Sequence, residues 1–316
     1  MLAIIIPYFK LTFFEATLQS LASQTNQNFK VYVGNDASPE NPEFLINNFQ
    51  KRINLEYHVF NQNLGGKSLV QQWIRCIAMT EYENWIMILG DDDVISENFV
   101  ANFYYNIAEI NQQKINVVRF ATQVINESGH PISDIYKHPI IEPSTDFLAR
   151  KFSKKTRSSL SEYVFKKEIM LHFKFRNLPL AWHADDLAVL EFSEFCNVFS
   201  INESTVFVRV SDINITGNDK YMVVKNQATF DFCKILFSEF SEKFSTNQLM
   251  IILKKLEIAF GNIPSFKNYF IISKYYVLKI NLVAFVEFQY RMIKYLTIQT
   301  LLKINLFTFV NSLRKK

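Results

Sequence analysis

The residues that point most directly to chemistry lie together in one stretch. An apolar run of strand length, Trp85-Ile86-Met87-Ile88-Leu89-Gly90, stops at three consecutive carboxylates, Asp91-Asp92-Asp93. Adjacent acids repel one another unless a cation or hydrogen-bond donors sit among them. The C-terminal end of a buried parallel strand is also where an open α/β sheet places its ligand. Hard oxygen ligands suit Mg²⁺ or Mn²⁺, and such an ion can bridge phosphates, so the cluster reads as a divalent-metal site for a phosphorylated substrate. The competing reading is a solvated turn in which Asp93 caps a helix starting near Ser96.

Two further groups fit a nucleotide. Asp36, in Gly34-Asn35-Asp36-Ala37-Ser38-Pro39, can accept a hydrogen bond from a base N–H, and Tyr8 can stack on the ring. Asp36 equally suits an Asx turn before Ser38-Pro39. Lys67 follows Gly65-Gly66 at the start of a helical pattern, where backbone N–H groups, helix dipole and ammonium together suit a diphosphate, although a solvated lysine is the ordinary case. A Gly-x-Gly-x-x-Gly pattern and a Walker A loop are both absent, which argues against the usual dinucleotide and P-loop folds.

The elements that must position these groups alternate. Residues 2–6 form a short apolar strand ended by Pro7, and residues 12–23 a helix. Strand 29–33, helix 42–50, strand 55–60, a helix opened by the 61–67 turn and running through Met79, and the strand before Asp91 follow. Short connections of this kind predict a parallel, doubly wound sheet with the exits of strands one, two and four (Pro7-Tyr8, Asn35-Asp36, Asp91-Asp92-Asp93) on one edge. Beyond it the pattern predicts a helix over 96–111, a strand over 115–125, and a turn at 126–131 joining two antiparallel strands. Residues 136–159, polar, basic and poorly periodic, read as a mobile loop. A strand over 161–165, a helix over 184–195 and a last strand over 206–210 follow. Only helical patterns continue from Asp219, broken near Gly261-Asn262-Ile263-Pro264.

At 316 residues with 49% hydrophobic content and 31 Phe, the chain has ample core for one large or two modest domains. The N-terminus lacks the basic and apolar regions of a signal peptide, and no run is long enough for a membrane span. Cys76, Cys196 and Cys233 are odd in number and without metal spacing, which suits reduced thiols in the cytoplasm. Residues 267–316 hold nine Lys/Arg and one acid, a balance of +8, whereas the whole chain is +4. From Tyr275 to Lys316 apolar stretches alternate with basic residues, a pattern that suits either the anionic inner face of a membrane or a helical subdomain packed on the catalytic part or on a second subunit. The aromatic residues recur at core-like spacing rather than along a basic stripe, so nucleic acid is not expected as a partner.

Ile4-Ile5-Ile6-Pro7-Tyr8-Phe9, Leu18-Gln19-Ser20-Leu21-Ala22-Ser23-Gln24-Thr25, Val33-Gly34-Asn35-Asp36-Ala37-Ser38, Asn63-Leu64-Gly65 and Leu89-Gly90-Asp91-Asp92-Asp93 resemble, in order and spacing, family 2 glycosyltransferases of the GT-A fold. The resemblance implies a Rossmann-like, mostly parallel sheet with a small antiparallel part in a catalytic domain over 1–215, followed by a basic, aromatic helical region over 216–316. It implies an inverting transferase moving a sugar from a nucleotide-diphosphate donor, most often UDP-linked, with Mn²⁺ or Mg²⁺, to a saccharide or lipid-linked acceptor in surface polysaccharide or glycoconjugate assembly. Pro7, Tyr8, Asp36, Gly65, Lys67 and Asp91 then belong to the donor site, with Asp36 on the uracil and Asp91 near the ribose, and Asp92 binds the metal. Asn35 and Gly90 stand where the family pattern has acids.

An inverting transfer needs a base for the acceptor hydroxyl. The candidates are Asp185 and Asp186 in Trp182-His183-Ala184-Asp185-Asp186-Leu187, two acids opening a helix in an apolar neighbourhood. The family's Glu-Asp motif would make Asp186 the base, and a shift of one residue would make it Asp185. Capping of the helix N-terminus is the structural alternative. His183 is expected as a wall or a partner of the acids, and Trp182 either against the acceptor sugar or in the core. Arg209, Ser211 and Asn214 resemble a family segment near the donor phosphates. A sugar nucleotidyltransferase would want a Gly-rich, Arg-containing loop where Pro7-Tyr8-Phe9-Lys10 stands, and a fold that had lost activity would also tolerate Asn35 and Gly90.

Overall fold

The computed structural model describes residues 1–212 and 219–294. Nine strands form one sheet among the described residues. β1 (Leu2–Tyr8), β2 (Phe29–Asn35), β3 (Leu55–Val59) and β4 (Trp85–Ile88) run parallel in the order β3-β2-β1-β4, joined through α1 (Phe14–Ala22), α2 (Glu43–Phe49) and α3 (Leu69–Ile77). The second half is mixed. β5 (Val94–Ile95), β6 (Val117–Ile125), β7 (Ile141–Pro143), β8 (Tyr163–Lys166) and β9 (Asn197–Arg209) continue past β4 as β8-β6-β9-β5, and β7 pairs with β9. α4 (Phe99–Gln112), α5 (Ser144–Phe152), α6 (Lys167–Phe173) and α7 (Ala184–Phe192) lie between these strands in sequence. α8 (Met222–Glu239), α9 (Thr246–Asn262), α10 (Phe266–Tyr275), a π-helical turn Tyr276–Ile280 and a helix over 282–294 close the described chain.

β1 and β4 are apolar because both faces of the sheet are covered there, whereas β3 at the edge leaves Glu56, His58 and Val59 exposed. Ile4, Ile6, Val31, Val33 and Met87 pack with Phe14, Leu18, Phe99 and Phe103 on one face, while Ala3, Ile5, Ile86 and Ile88 pack with Val70, Ala184 and Ala188 on the other. A third core gathers Leu148, Leu187 and Leu190 with Phe232, Leu236, Leu253, Leu256 and Phe288, so the C-terminal helices share one interior with α5 and α7.

The structure departs from the sequence reading in four places. β1 runs through Pro7 to Tyr8, and Pro7 is accommodated because β4 ends at Ile88, opposite Ile5, leaving the proline's missing N–H on a side without a partner strand. The chain after the 126–131 turn returns only as single bridges to β6, at Ile125–Pro131 and Thr122–Tyr136. Residues 136–159 are not a mobile loop. They hold β7 and α5, because Phe147 and Leu148 are buried while Asp146 opens the helix and Arg150 and Lys151 close it, each favoured by the helix dipole. β9 begins nine residues before Val206. The polar residues 202–204 bulge out between Phe120–Ile201 and Ala121–Thr205, where Asn202 bonds both backbone groups of His138 and Ser204 bonds Asn98, and so hide the first half of the strand from a periodicity reading.

Candidate active site

The strand exits converge as the parallel order requires. β4 stops opposite Ile5 while β1 continues to Tyr8, so the turn after Leu89 passes beneath the chain leaving β1. Asp91 Oδ2 there accepts hydrogen bonds from the Phe9 and Lys10 N–H groups, each at 2.8 Å. Burial and the neighbouring Asp92 charge raise its carboxyl to about 6 against these donors.

Asp93 does not cap a helix. The residue before α4 is Asn98, and Asp93 Oδ2 accepts from the Ser161 hydroxyl at 2.5 Å while Oδ1 accepts from the Arg209 N–H at 2.9 Å. Burial, reinforced by Asp92, pushes this acid up to about 7. Ser161 Oγ also accepts from the Gly90 N–H at 3.1 Å, so one serine spans both ends of the turn. Arg209 is buried. Its Nε donates to the Asp92 carbonyl at 2.9 Å and its Nη1 to the carbonyls of Asn126 and Glu127, so this arginine clamps the acidic turn. Ser211 is buried close by in sequence, and Asn214 lies outside the described residues.

Asp92 is half-buried at the lip of this turn. A Cβ placed on Gly90 would come within 2.9 Å of Asp92 Oδ1 and 3.1 Å of Asp93 Oδ2. The Asp92 carboxylate therefore folds over the position from which the family's first acid would project. Among the described residues no cluster of three or more His, Cys, Asp or Glu forms a metal cage. One hard carboxylate still fits an ion of the Mg²⁺ type, which takes one or two carboxylates plus substrate oxygens.

Just after β2, Asp36 is buried. Its Oδ1 accepts from the Leu64 N–H at 2.7 Å and its Oδ2 from the Gly65 N–H at 2.8 Å, and Arg75 of α3 pairs with Oδ1. A Cβ on Gly65 would lie 2.5 Å from Asp36 Oδ2, so glycine is what permits this close approach. Ala37, next in the chain, holds a left-handed φ of 53°. Strained non-glycine backbone of this kind is retained where surrounding contacts impose it, often beside functional groups. Lys67 is exposed, just before α3, whose N-cap is Ser68. Pro7 stands beside Gly34 at the same edge.

Tyr8 is corrected. Strand alternation carries it to the α1 face with Ile4 and Ile6, where its ring lies 4.6 Å from Phe14, its hydroxyl donates to the Glu40 carbonyl at 2.8 Å, and no surface is left for stacking on a base.

The structure separates the paired acids of α7. Both Asp186 oxygens accept from Lys151 Nζ, at 2.5 and 2.6 Å, and Oδ2 lies 2.7 Å from His183 Nδ1. Its side chain has no exposed surface. Burial favours its protonated form, but the Lys151 charge and the His183 contact outweigh burial and hold the carboxyl well below the usual range. Asp185 is half-buried, and burial together with the Asp186 charge raises it to about 6. The geometry thus gives Asp186 the place of an ionised, closed partner and Asp185 that of the accessible acid. His183 stacks on Phe232 with ring centroids 4.9 Å apart and reaches Thr229 Oγ1 at 3.0 Å, tying α7 to α8. Trp182 is half-buried, with Lys225 Nζ 5.0 Å from its ring centroid. Leu180, Ala181 and His183 all have left-handed φ, three costly residues in the four that lead into α7.

Charge connects the two acid groups. Arg157 lowers the pKa of both Asp93 and Glu162, and Lys151 acts on Glu162, Asp185 and Asp186 alike. A line of charged side chains therefore runs from the β4 turn through the Leu160–Glu162 turn to the start of α7. Sequence reading missed Lys151, Arg157, Ser161 and Arg75. Lys151 had a signal in the Ser144-Thr145-Asp146 start and the Phe147-Leu148 and Phe152 spacing of α5, while nothing local distinguishes Ser161.

Comparison with known proteins fits this site and fold. No curated protein matches the chain in sequence. The crystal structure of S. aureus TarS residues 1–349 in complex with UDP-GlcNAc is similar with a TM-score of 0.64 at 13% identity, covering 86% of this chain and 78% of that one. The mannosyltransferase PcManGT from Pyrobaculum calidifontis, in complex with GDP-Man and Mn²⁺, is similar with a TM-score of 0.56 at 10% identity, over 95% of this chain and 83% of that one. The sheet with its flanking helices is that of the GT-A glycosyltransferases. The family model for glycosyl transferase family 2 matches residues 3–165, which span β1 to β8 and hold every strand exit described above, and the chain belongs to that family.

Proposed function

We propose that the protein transfers a sugar from a nucleotide-diphosphate donor, UDP-linked, to a hydroxyl of a saccharide or lipid-linked acceptor, with inversion, in the assembly of a surface polysaccharide or glycoconjugate. The observation that carries this reading is the convergence of Asp36, Asp91 and Asp92 at the exits of three neighbouring parallel strands. Asp36, braced by the 64–65 backbone and Arg75, faces the base, and Asp91 fixes the β1 exit where the ribose lies. Lys67 and the N-terminus of α3 supply positive charge for the diphosphate. Asp92 holds Mn²⁺ or Mg²⁺, which when bound neutralises the charge developing on the departing diphosphate. The Mn²⁺ and GDP-Man seen with PcManGT and the UDP-GlcNAc seen with TarS support this choice of ligands.

Asp185 takes the acceptor's hydroxyl proton as the new glycosidic C–O bond forms on the face opposite the breaking C–O bond to phosphate. An acid near its ordinary pKa would be a weak acceptor, and Asp185 is kept more basic by burial and by the fixed charge of Asp186. Lys151 and His183 are positioning residues, holding that charge in place.

A thermal-shift panel of UDP-, GDP-, dTDP- and CMP-sugars with and without Mn²⁺ tests the donor. A UDP-sugar with Mn²⁺ is expected to raise Tm, since a ligand at a hundredfold excess over Kd stabilises by about 2.7 kcal/mol. If no nucleotide-sugar raises Tm in either condition, the donor reading is wrong.

A further inference from the structure

The last described helices each present a stripe of apolar side chains outward. On α10, Phe266 (88% exposed) and Phe270 lie one turn apart, and Val277 continues the same stripe, while Ile272 and Tyr276 point into the third core. The helix over 282–294 repeats the arrangement. Leu282, Val286, Tyr290 and Ile293, spaced by four, four and three, are all exposed, while Ala284 and Phe288 on the opposite side are buried. The face is held in place. Tyr276 Oη bonds Glu257 of α9, Arg291 pairs with Glu257 at 2.9 Å, and Tyr269 Oη bonds Gln289 across the two helices. Soluble proteins rarely leave so many large apolar side chains on two neighbouring helices open to water unless something covers them.

The charge around the stripe selects the cover. Of the five Lys/Arg in residues 266–294, Lys279 and Arg291 pair with Glu242 and Glu257, which leaves Lys267, Lys274 and Lys294 as the positive charge of these helices against one acid, Glu287. A second copy docked face to face would set like charge against like charge. No described helix is long and apolar enough to cross a membrane. An apolar stripe a few side chains wide with lysines beside it instead matches the headgroup region of an anionic bilayer, where the apolar groups enter the acyl boundary and the ammonium groups meet phosphate.

We propose that the face formed by α10 and the 282–294 helix docks in the plane of an anionic membrane. The proposal stands apart from the transferase reading, since it uses no residue of the strand-exit site.

Flotation of the full-length protein with vesicles separates the outcomes. Wild-type protein is expected to float with vesicles of 70% phosphatidylcholine and 30% phosphatidylserine and not with phosphatidylcholine alone, and to lose binding at high salt. Val286→Glu together with Ile293→Glu, both at exposed positions, should abolish flotation while leaving Tm and its rise with a UDP-sugar and Mn²⁺ unchanged. Lys274→Ala together with Lys294→Ala should weaken partition about 25-fold, roughly fivefold per lysine. These lysine variants keep the test open if the glutamate variant misfolds. Flotation on neither lipid, equal flotation on both, or a wild-type dimer by light scattering that Val286→Glu dissociates would each overturn the proposal, the last by assigning the face to a second copy.

Discussion

Asp185→Asn is expected to lower kcat for sugar transfer by about 10²–10⁴-fold, the contribution of a positioned general base. Binding of UDP with Mn²⁺ should be nearly unchanged, because Asp185 lies on α7 and not at the strand exits. The same reading fixes the sign of the pH dependence. A base must be unprotonated to act, so activity should rise with pH through the Asp185 pKa, near 6. Asp186→Asn removes the negative charge that raises this pKa and leaves the Lys151 cation uncompensated, so the acid limb should move to lower pH. Lys151→Met removes the cation that lowers it, so the limb should move to higher pH and activity at pH 7 should fall. Opposite displacements distinguish tuning from simple loss of structure, which would lower activity at every pH. Should Asp186→Asn abolish turnover at all pH values while Asp185→Asn stays active, the roles of the two acids are reversed.

Asp92→Ala carries the second large effect. A metal that offsets charge on a leaving group contributes several kcal/mol to the transition state, so transfer is expected to fall about 10³-fold. The Mn²⁺ dependence of donor binding should disappear with it. Wild-type turnover that stays metal-dependent in this variant would move the ion to another ligand. Asp93 carries side-chain bonds to Ser161 and to the Arg209 N–H that hold the turn, and both remain in this variant.

The parallel half of the fold was legible because its strands are short, largely apolar and punctuated by polar exits, so the parallel sheet and the common edge of its exits followed from the alternation of elements. The placement of Asp36, Asp91 and Asp92 at the strand exits was legible for the same reason, since the polar residues come within four positions of the ends of β2 and β4. The mixed half was less so. Residues 202–204 interrupt β9 with a polar bulge, and α5 begins in a segment whose charges mask Phe147 and Leu148. Tyr8 failed as a stacking residue because two extra strand positions, Pro7 and Tyr8, turned it into the α1 core. The distinction between Asp185 and Asp186 was beyond sequence, since it depends on Lys151 arriving from α5, 35 positions away. Arg209 reads as an ordinary strand-end cation until its bonds to the Asp92, Asn126 and Glu127 carbonyls are seen.

The central claim is that a cation at the lip of β4 receives the diphosphate of a sugar-nucleotide. Crystals grown with UDP and Mn²⁺ test it through the anomalous signal of manganese. The account predicts one peak within coordination distance, about 2.1 Å, of an Asp92 carboxylate oxygen, with phosphate oxygens completing the shell and the base beside Asp36. Manganese remote from Asp92, with the nucleotide lodged away from the β1, β2 and β4 exits, would contradict it.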